Sequence, residues 1–311
     1  MGTRIESVAT VRARRGPLSR GALGLADAAA RECLERAHRQ PTDLDLLVNA
    51  GLYKEKNVVE PAFAAIIQED IGANPGHPPV MGHGTFSFDV ENGGCGALTA
   101  AYLIDGFARS GSMRLGMVVA SDSDPARRTS HGYRFAPVGG AMLLQAVDGD
   151  DGFDGFELRT FPELGGRFES ALRWEPGRGL AHRGHTALVV DEAPEYGPRC
   201  VECATSSVHA FLDRARLLLR EVDLLVATPS PGQFPDALAS ELGVGEDRVA
   251  HAAEELGGAH TAGMIATLEG AVESGQLARS RNVLFVAAGA GITIGVALYR
   301  TATRAAARSS R

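Results

Sequence analysis

The order of apolar and polar positions along this chain repeats itself once. From about Ala26 to Gly51 it reads as an Ala-rich amphipathic helix, a short break and the run Leu44-Asp45-Leu46-Leu47-Val48. From about Ser207 to Pro229 the same order returns, a helix through Arg220 followed by Val222-Asp223-Leu224-Leu225-Val226. Short continuous apolar runs of this kind predict parallel strands covered by helices on both faces.

A second pair of segments follows the same rule. Gly93-Gly94 opens a predicted helix through Gly106 to Ser110-Gly111, and the strand Leu115 to Ala120 comes next. Gly257-Gly258 opens another through Gly270 to Ser274-Gly275, followed by the strand Asn282 to Ala287. The paired glycines, the mid-helix glycine and the closing Ser-Gly recur at one constant offset, which favours an internal duplication of α/β units. The expected organisation is an N-terminal half over 1–150, a connecting segment over 151–197 and a C-terminal half over 198–311. The connecting segment is rich in Gly, Pro and charge and reads as loops with at most one strand.

Bulk properties narrow the function classes. A chain of 311 residues buries a large core. Its formal charge of −7 argues against general nucleic-acid binding, which needs concentrated Lys and Arg. No apolar run reaches membrane-spanning length, and the segment Met1 to Glu6 lacks an apolar signal core, so the expected location is cytoplasmic with no membrane partner. Four cysteines in so long a chain do not make a disulfide framework. His182-x-x-His185 ahead of Cys200-x-x-Cys203 formally offers four zinc ligands. Read as a strand, however, the second pair would point to opposite faces, so no metal is expected.

Several local strings carry a family resemblance. Phe88-Asp89-Val90-Glu91-Asn92-Gly93-Gly94-Cys95-Gly96 resembles the nucleophile loop of the ketoacyl-synthase III branch of the thiolase superfamily. Val138-Gly139-Gly140-Ala141 is similar to that family's Gly-Ala-Gly turn, and Gly289-Ala290-Gly291-Ile292-Thr293-Ile294-Gly295 to its C-terminal Gly-rich signature. The resemblance runs from about Leu25 onward. It implies an α/β protein with the duplicated thiolase fold, layered α-β-α-β-α, its two mixed sheets enclosing buried central helices. A dinucleotide-binding reading of Gly289 to Gly295 fails because Thr293 to Tyr299 reads as a strand, where a phosphate-binding helix would be required.

The resemblance also implies chemistry: a Cys at a buried helix N-terminus takes an acyl group from a thioester, with a His and an Asn assisting. Counting forward from Asp89 and backward from Gly106 both put the nucleophile position at Gly94, one residue before Cys95. The family His falls on Thr228 and the family Asn on Gly258, so none of the three positions holds the expected side chain. Cys95 and His260 are therefore the candidate catalytic pair, both displaced, against the plainer reading of a buried small Cys and a hydrogen-bonded His. Gly289 and Gly291 are the candidate oxyanion positions, since a backbone N–H there needs only a glycine-permitted turn.

Family members usually carry a Trp and arginines that contact coenzyme A near the N-terminus; here only Arg12, Arg14, Arg15 and Gly16 cover that gap. The expected function is acyl transfer or condensation on acyl thioesters, with coenzyme A or an acyl carrier protein as substrate carrier and no permanently bound cofactor. Two alternatives stay open: a non-catalytic partner subunit of an active ketosynthase, and a reaction that needs an oxyanion turn and a direct nucleophile but no acyl-enzyme. Family members pair through a central strand, so a homodimer, or a heterodimer with a ketosynthase paralogue, is expected.

Overall fold

The computed structural model describes residues 2–13, 21–54, 60–76, 84–124, 131, 136–176, 184–256 and 258–302. Five strands form one mixed sheet: β1 (Gly2–Arg12), β2 (Leu46–Asn49), β3 (Phe86–Asp89), β4 (Leu115–Ser121) and β5 (Val138–Val147), in the order β1-β5-β4-β2-β3. A second sheet contains β6 (Gly152–Thr160), β9 (Leu224–Ala227), β10 (Asn282–Gly289) and β11 (Thr293–Arg300), in the order β6-β11-β10-β9. The strands β7 (Phe168–Glu175) and β8 (His185–Glu192) form a separate antiparallel hairpin.

The two sheets are copies of one plan. In each, an outer strand runs antiparallel to a hairpin partner, which is antiparallel to a central strand, which is parallel to the next. Even the parallel edge position of β3 has a counterpart, the isolated parallel bridge between Leu225 and Val249. The duplication reaches the level of single hydrogen bonds. Asp45 accepts the amides of Arg114 and Leu115 at 2.7 and 3.0 Å, clamping the start of β4. Asp223, its mate, accepts those of Arg281 and Asn282 at 2.8 and 2.9 Å, clamping the start of β10.

Helices fill the layers. The helices α1 (Ala22–Arg36) and α2 (Phe63–Ile71) pack their apolar faces on the outside of the first sheet. On the outside of the second lie α4 (Tyr196–Ala215) and α5 (Phe234–Leu242). Between the sheets run α3 (Gly96–Arg109) and α6 (Gly263–Glu273), followed by the short α7 (Gln276–Arg279). Helix α3 buries Leu98, Ala100, Ala101, Ile104 and Ala108, and α6 buries Met264, Ile265, Ala266, Leu268 and Ala271. Helices with faces this apolar need cover from their neighbours, and the two sheets supply most of it. The α-β-α-β-α architecture expected from the sequence is the one observed.

Three local expectations are corrected. The segment 151–197 holds three strands, because β6 completes the second sheet and β7 and β8 pair with each other. Residues 197–204 are helical, so Cys200 and Cys203 lie one turn apart and both are buried in the packing of α4. His182 lies outside the described residues, and no metal-binding cluster occurs among the described ones. Finally, both central helices begin later than their glycines suggest. Gly93 takes a left-handed backbone with φ 49° inside a 3-10 turn over Gly93–Cys95, so α3 starts at Gly96. Helix α6 starts at Gly263, after Asp122 captures the amide of Thr261.

Candidate active site

The two helix starts lie at the carboxyl ends of the central strands, where open α/β sheets place their sites. Each is met by a strand from the opposite half: the end of β10 packs on the approach to α3, and the residue after β4 packs on the approach to α6.

The three positions to which the counted register points hold no free nucleophile or base. A Cβ on Gly94 would lie 2.3 Å from the Ala288 carbonyl oxygen, so no side chain fits there without a backbone shift. Thr228 is buried, and its hydroxyl accepts the amide of the same Ala288 at 3.1 Å. Gly258 is exposed, and a Cβ there would lie 3.0 Å from the Cβ of Ala136.

Cys95 is fully buried. Its Sγ donates to the Thr293 carbonyl oxygen at 3.2 Å and lies 3.2 Å from where a Cβ on Gly289 would stand. Burial pushes its thiol up to about 12, and a hydrogen bond from the Gly295 amide offsets this only in part. Such a thiol is not ionised near neutrality, whereas a nucleophilic cysteine needs a stabilised thiolate. His260 turns to a different partner. Its Nδ1 lies 3.1 Å from Oδ2 of Asp122, and its ring stacks on Tyr53 with centroids 5.5 Å apart. The expected Cys95–His260 pair is thus given separate surroundings, one dry and one polar.

Asp122 is the residue that sequence reasoning missed. It is buried and accepts five hydrogen bonds: the Leu52 and Tyr53 amides at 3.0 and 2.8 Å on Oδ1, and the Thr261 amide, the Thr261 hydroxyl and His260 at 2.9, 2.7 and 3.1 Å on Oδ2. Burial alone would raise its pKa, but His260, Thr261 and the Tyr53 amide outweigh that and hold it below the usual carboxylate range. An ionised carboxylate only accepts, so the proton between the pair sits on Nδ1, and in the neutral form of the ring Nε2 is the nitrogen that carries the lone pair. The signal was an acid directly after the apolar strand Leu115 to Ser121, at the end where sites form.

Nε2 faces the left-handed turn. A carbon added to Gly93 would lie 3.9 Å from His260 Nε2 and 3.9 Å from the amide nitrogen of Ala290. Gly93 and His260 are both partly exposed, unlike Cys95. Gly289 and Gly291, the expected oxyanion positions, flank that amide; Gly291 has φ 68° and turns the chain from β10 into β11. Beside this centre the buried Lys54 ammonium pairs with Asp89 at 3.3 Å and Glu91 at 3.1 Å. Asp89 in turn caps α2 through the amides of Phe63 and Ala64, both at 2.8 Å. Asn92 does not cap the helix that follows it; its side-chain amide donates to the Thr99 hydroxyl at 3.0 Å.

Two copies of one α/β plan around buried central helices, with a polar centre where the helices begin, define the thiolase class of fold. Residues 212–301 match the model of the family described as 3-oxoacyl-(acyl-carrier-protein) synthase III C terminal. The beta-ketoacyl-(acyl-carrier-protein) synthase III of Brucella canis is 27% identical over 289 residues, covering 89% of this chain and 84% of that protein. The crystal structure of the Pseudomonas aeruginosa 3-oxoacyl-(acyl carrier protein) synthase III superposes with a TM-score of 0.76 at 17% identity, covering 97% of this chain and 98% of the other. The priming beta-ketosynthase from the R1128 polyketide biosynthetic pathway gives 0.73 at 21% identity, with 96% of each chain covered. The chain therefore has the fold of the 3-oxoacyl-(acyl-carrier-protein) synthase III structures, and over 212–301 it is similar to that family's C-terminal part.

Proposed function

We propose that this protein acts on acyl thioesters, carried by coenzyme A or an acyl carrier protein, and transfers the acyl group at an atypical centre. Its relatives are named as ketoacyl synthases of type III, which supports the substrate class. The observation that carries an active rather than a silent site is the convergence on Gly93, where His260 Nε2 and the Ala290 amide approach one point from two elements. A base and a hydrogen-bond donor so placed are what acyl transfer from a thioester requires. The setting is that of fatty acid or polyketide biosynthesis, and the place of work is the cytoplasm; no described helix is long and apolar enough to cross a membrane.

A second reading, a non-catalytic subunit beside an active ketosynthase, is favoured by the obstruction at Gly94 and the threonine at position 228. Either reading goes with a dimer. Strand β3 is a sheet edge and exposes Phe86 at 57%, which suits pairing with a second strand. Incubation with a panel of acyl-coenzyme A and acyl-carrier thioesters, following free thiol and intact protein mass together, separates the readings. Release of thiol by the purified chain alone is the expected result. Thiol release only after a ketosynthase subunit is added would establish the partner reading instead.

A further inference from the structure

Resting on the acyl-thioester reading, we infer that Asp122 and His260 form a proton-transfer dyad that lets a hydroxyl acceptor, water in the simplest case, attack the thioester directly, with no acyl-enzyme. Among the described residues, a first side-chain carbon on Gly93 would meet nothing closer than His260 Nε2 and the Ala290 amide nitrogen, each 3.9 Å away. An acceptor oxygen at that point stands where an enzyme nucleophile would.

The step balances without an external co-reactant beyond that acceptor. His260 Nε2 takes the acceptor's O–H proton as the oxygen–carbon bond forms. The carbonyl oxygen becomes an oxyanion, for which the Ala290 N–H is the nearby donor. Collapse breaks the carbon–sulfur bond, and the proton on Nε2 passes to the leaving thiolate. The products are an acid or ester and a free thiol.

Asp122 is a positioning residue. Its Oδ2 lies 3.1 Å from Nδ1 and accepts the hydrogen bond there, so that in the neutral ring Nε2 is the basic nitrogen, and its charge stabilises the imidazolium formed in transit. Its anchoring is unusually complete, because the Leu52, Tyr53 and Thr261 amides fix the carboxylate from two different loops. Cys95 has no part in the step, since its thiol is closed off against Thr293 and Gly289.

The test uses the full chain with butyryl-coenzyme A and octanoyl-coenzyme A as probes, reading thiol release, product mass and intact protein mass. Butyric and octanoic acid form in water, and an ester partly replaces them when glycerol is added. Cys95→Ala retains turnover, and no acyl mass appears on the chain at any quench time. His260→Ala lowers kcat about 100-fold or more and is partly restored by free imidazole, as removal of a general base predicts. Asp122→Asn lowers kcat about 10-fold or more with KM little changed, as expected when a base is mis-set and not when binding is lost. An acyl adduct, loss of turnover in Cys95→Ala, or full turnover in His260→Ala each overturns the dyad and leaves the acyl-thioester reading standing. Binding of the probes with no thiol release also overturns the dyad. Neither binding nor release with these and carrier-borne thioesters overturns the reading beneath it.

Discussion

The starts of the two central helices occupy equivalent places in a duplicated fold, yet their surroundings are opposite in polarity. At α3 the opposite half contributes the end of β10, where Gly289 and Ala288 press against Cys95 and Gly94. At α6 it contributes the residue after β4, where Asp122 reaches across to His260 and Thr261. The repeat makes Asp122 and Gly289 mates, each following or closing its central strand. Glycine at one crossing lets backbones meet and excludes water. A carboxylate at the other must be satisfied, and it gathers five donors to do so. The same scaffold therefore yields a packed contact on one side and a polar centre on the other, through the identity of one residue per half.

The sharpest way to break this comparison is to remove the carboxylate. Truncating one member of a buried, fully hydrogen-bonded set costs about 3–5 kcal/mol, because the remaining donors lose their acceptor. Asp122→Ala is expected to fall in that range by urea unfolding, with the approach to α6 loosened. The pH dependence has a definite sign. The folded pKa of Asp122 is depressed, so its stabilisation is fully present above the unfolded carboxylate value of about 4 and is lost as pH falls through the lower folded value. The stability gap between parent and Asp122→Asn is therefore widest near neutrality and closes on acidification. A gap that widened in acid would remove the carboxylate from the account.

The dry crossing can be tested by returning a thiol to it. Gly94→Cys puts a Cβ 2.3 Å from a backbone oxygen, and overpacking of that kind costs about 1–3 kcal/mol. The upper end is expected, with no acylation by butyryl-coenzyme A. Gly93→Cys meets no described atom closer than 3.9 Å but must hold φ at 49°, a strain of about 1–2 kcal/mol for a residue other than glycine. That variant, and not its neighbour, is expected to gain an acyl mass increment. Cys95→Ser should cost a similar amount, about 1–2 kcal/mol for burying a hydroxyl that keeps the Thr293 acceptor. In the parent protein, iodoacetamide at pH 8 should leave Cys95 unmodified until the chain unfolds, as intact mass would record.

Much of the fold was legible because it is written twice. The runs around Leu46 and Leu224, and the glycine pattern through Gly106 and Gly270, each predict an element whose mate confirms it. Residues 151–197 have no such mate in sequence, and alternation along Phe168 to Glu175 is masked because that strand lies largely exposed, with Trp174 at 67%. The start of α4 was hidden by Gly197 and Pro198, which read as a break but sit in the first helical turn, where proline is tolerated. For the site, counting pointed to Gly94, Thr228 and Gly258 as the places where the family chemistry would sit. It could not find Asp122, because pairing that residue with His260 requires knowing that each helix start is met by the other half.

The smallest expected effect tests whether the halves are alike away from the site. Asp45 and Asp223 each accept two backbone amides at the start of a central strand, with distances that agree to within about a tenth of an ångström. Both clamps are solvent-exposed or nearly so, where water can replace a lost acceptor. Asp45→Ala and Asp223→Ala should therefore each cost only about 1 kcal/mol. The two values should match, and the double variant should show their sum, since the clamps hold the starts of strands in different sheets. Unequal costs would mean that one half carries the stability of the fold and the other is held by it. Equal costs would leave the crossings at α3 and α6 as the place where two otherwise matched halves part company, which is what a site grown within a duplicated scaffold requires.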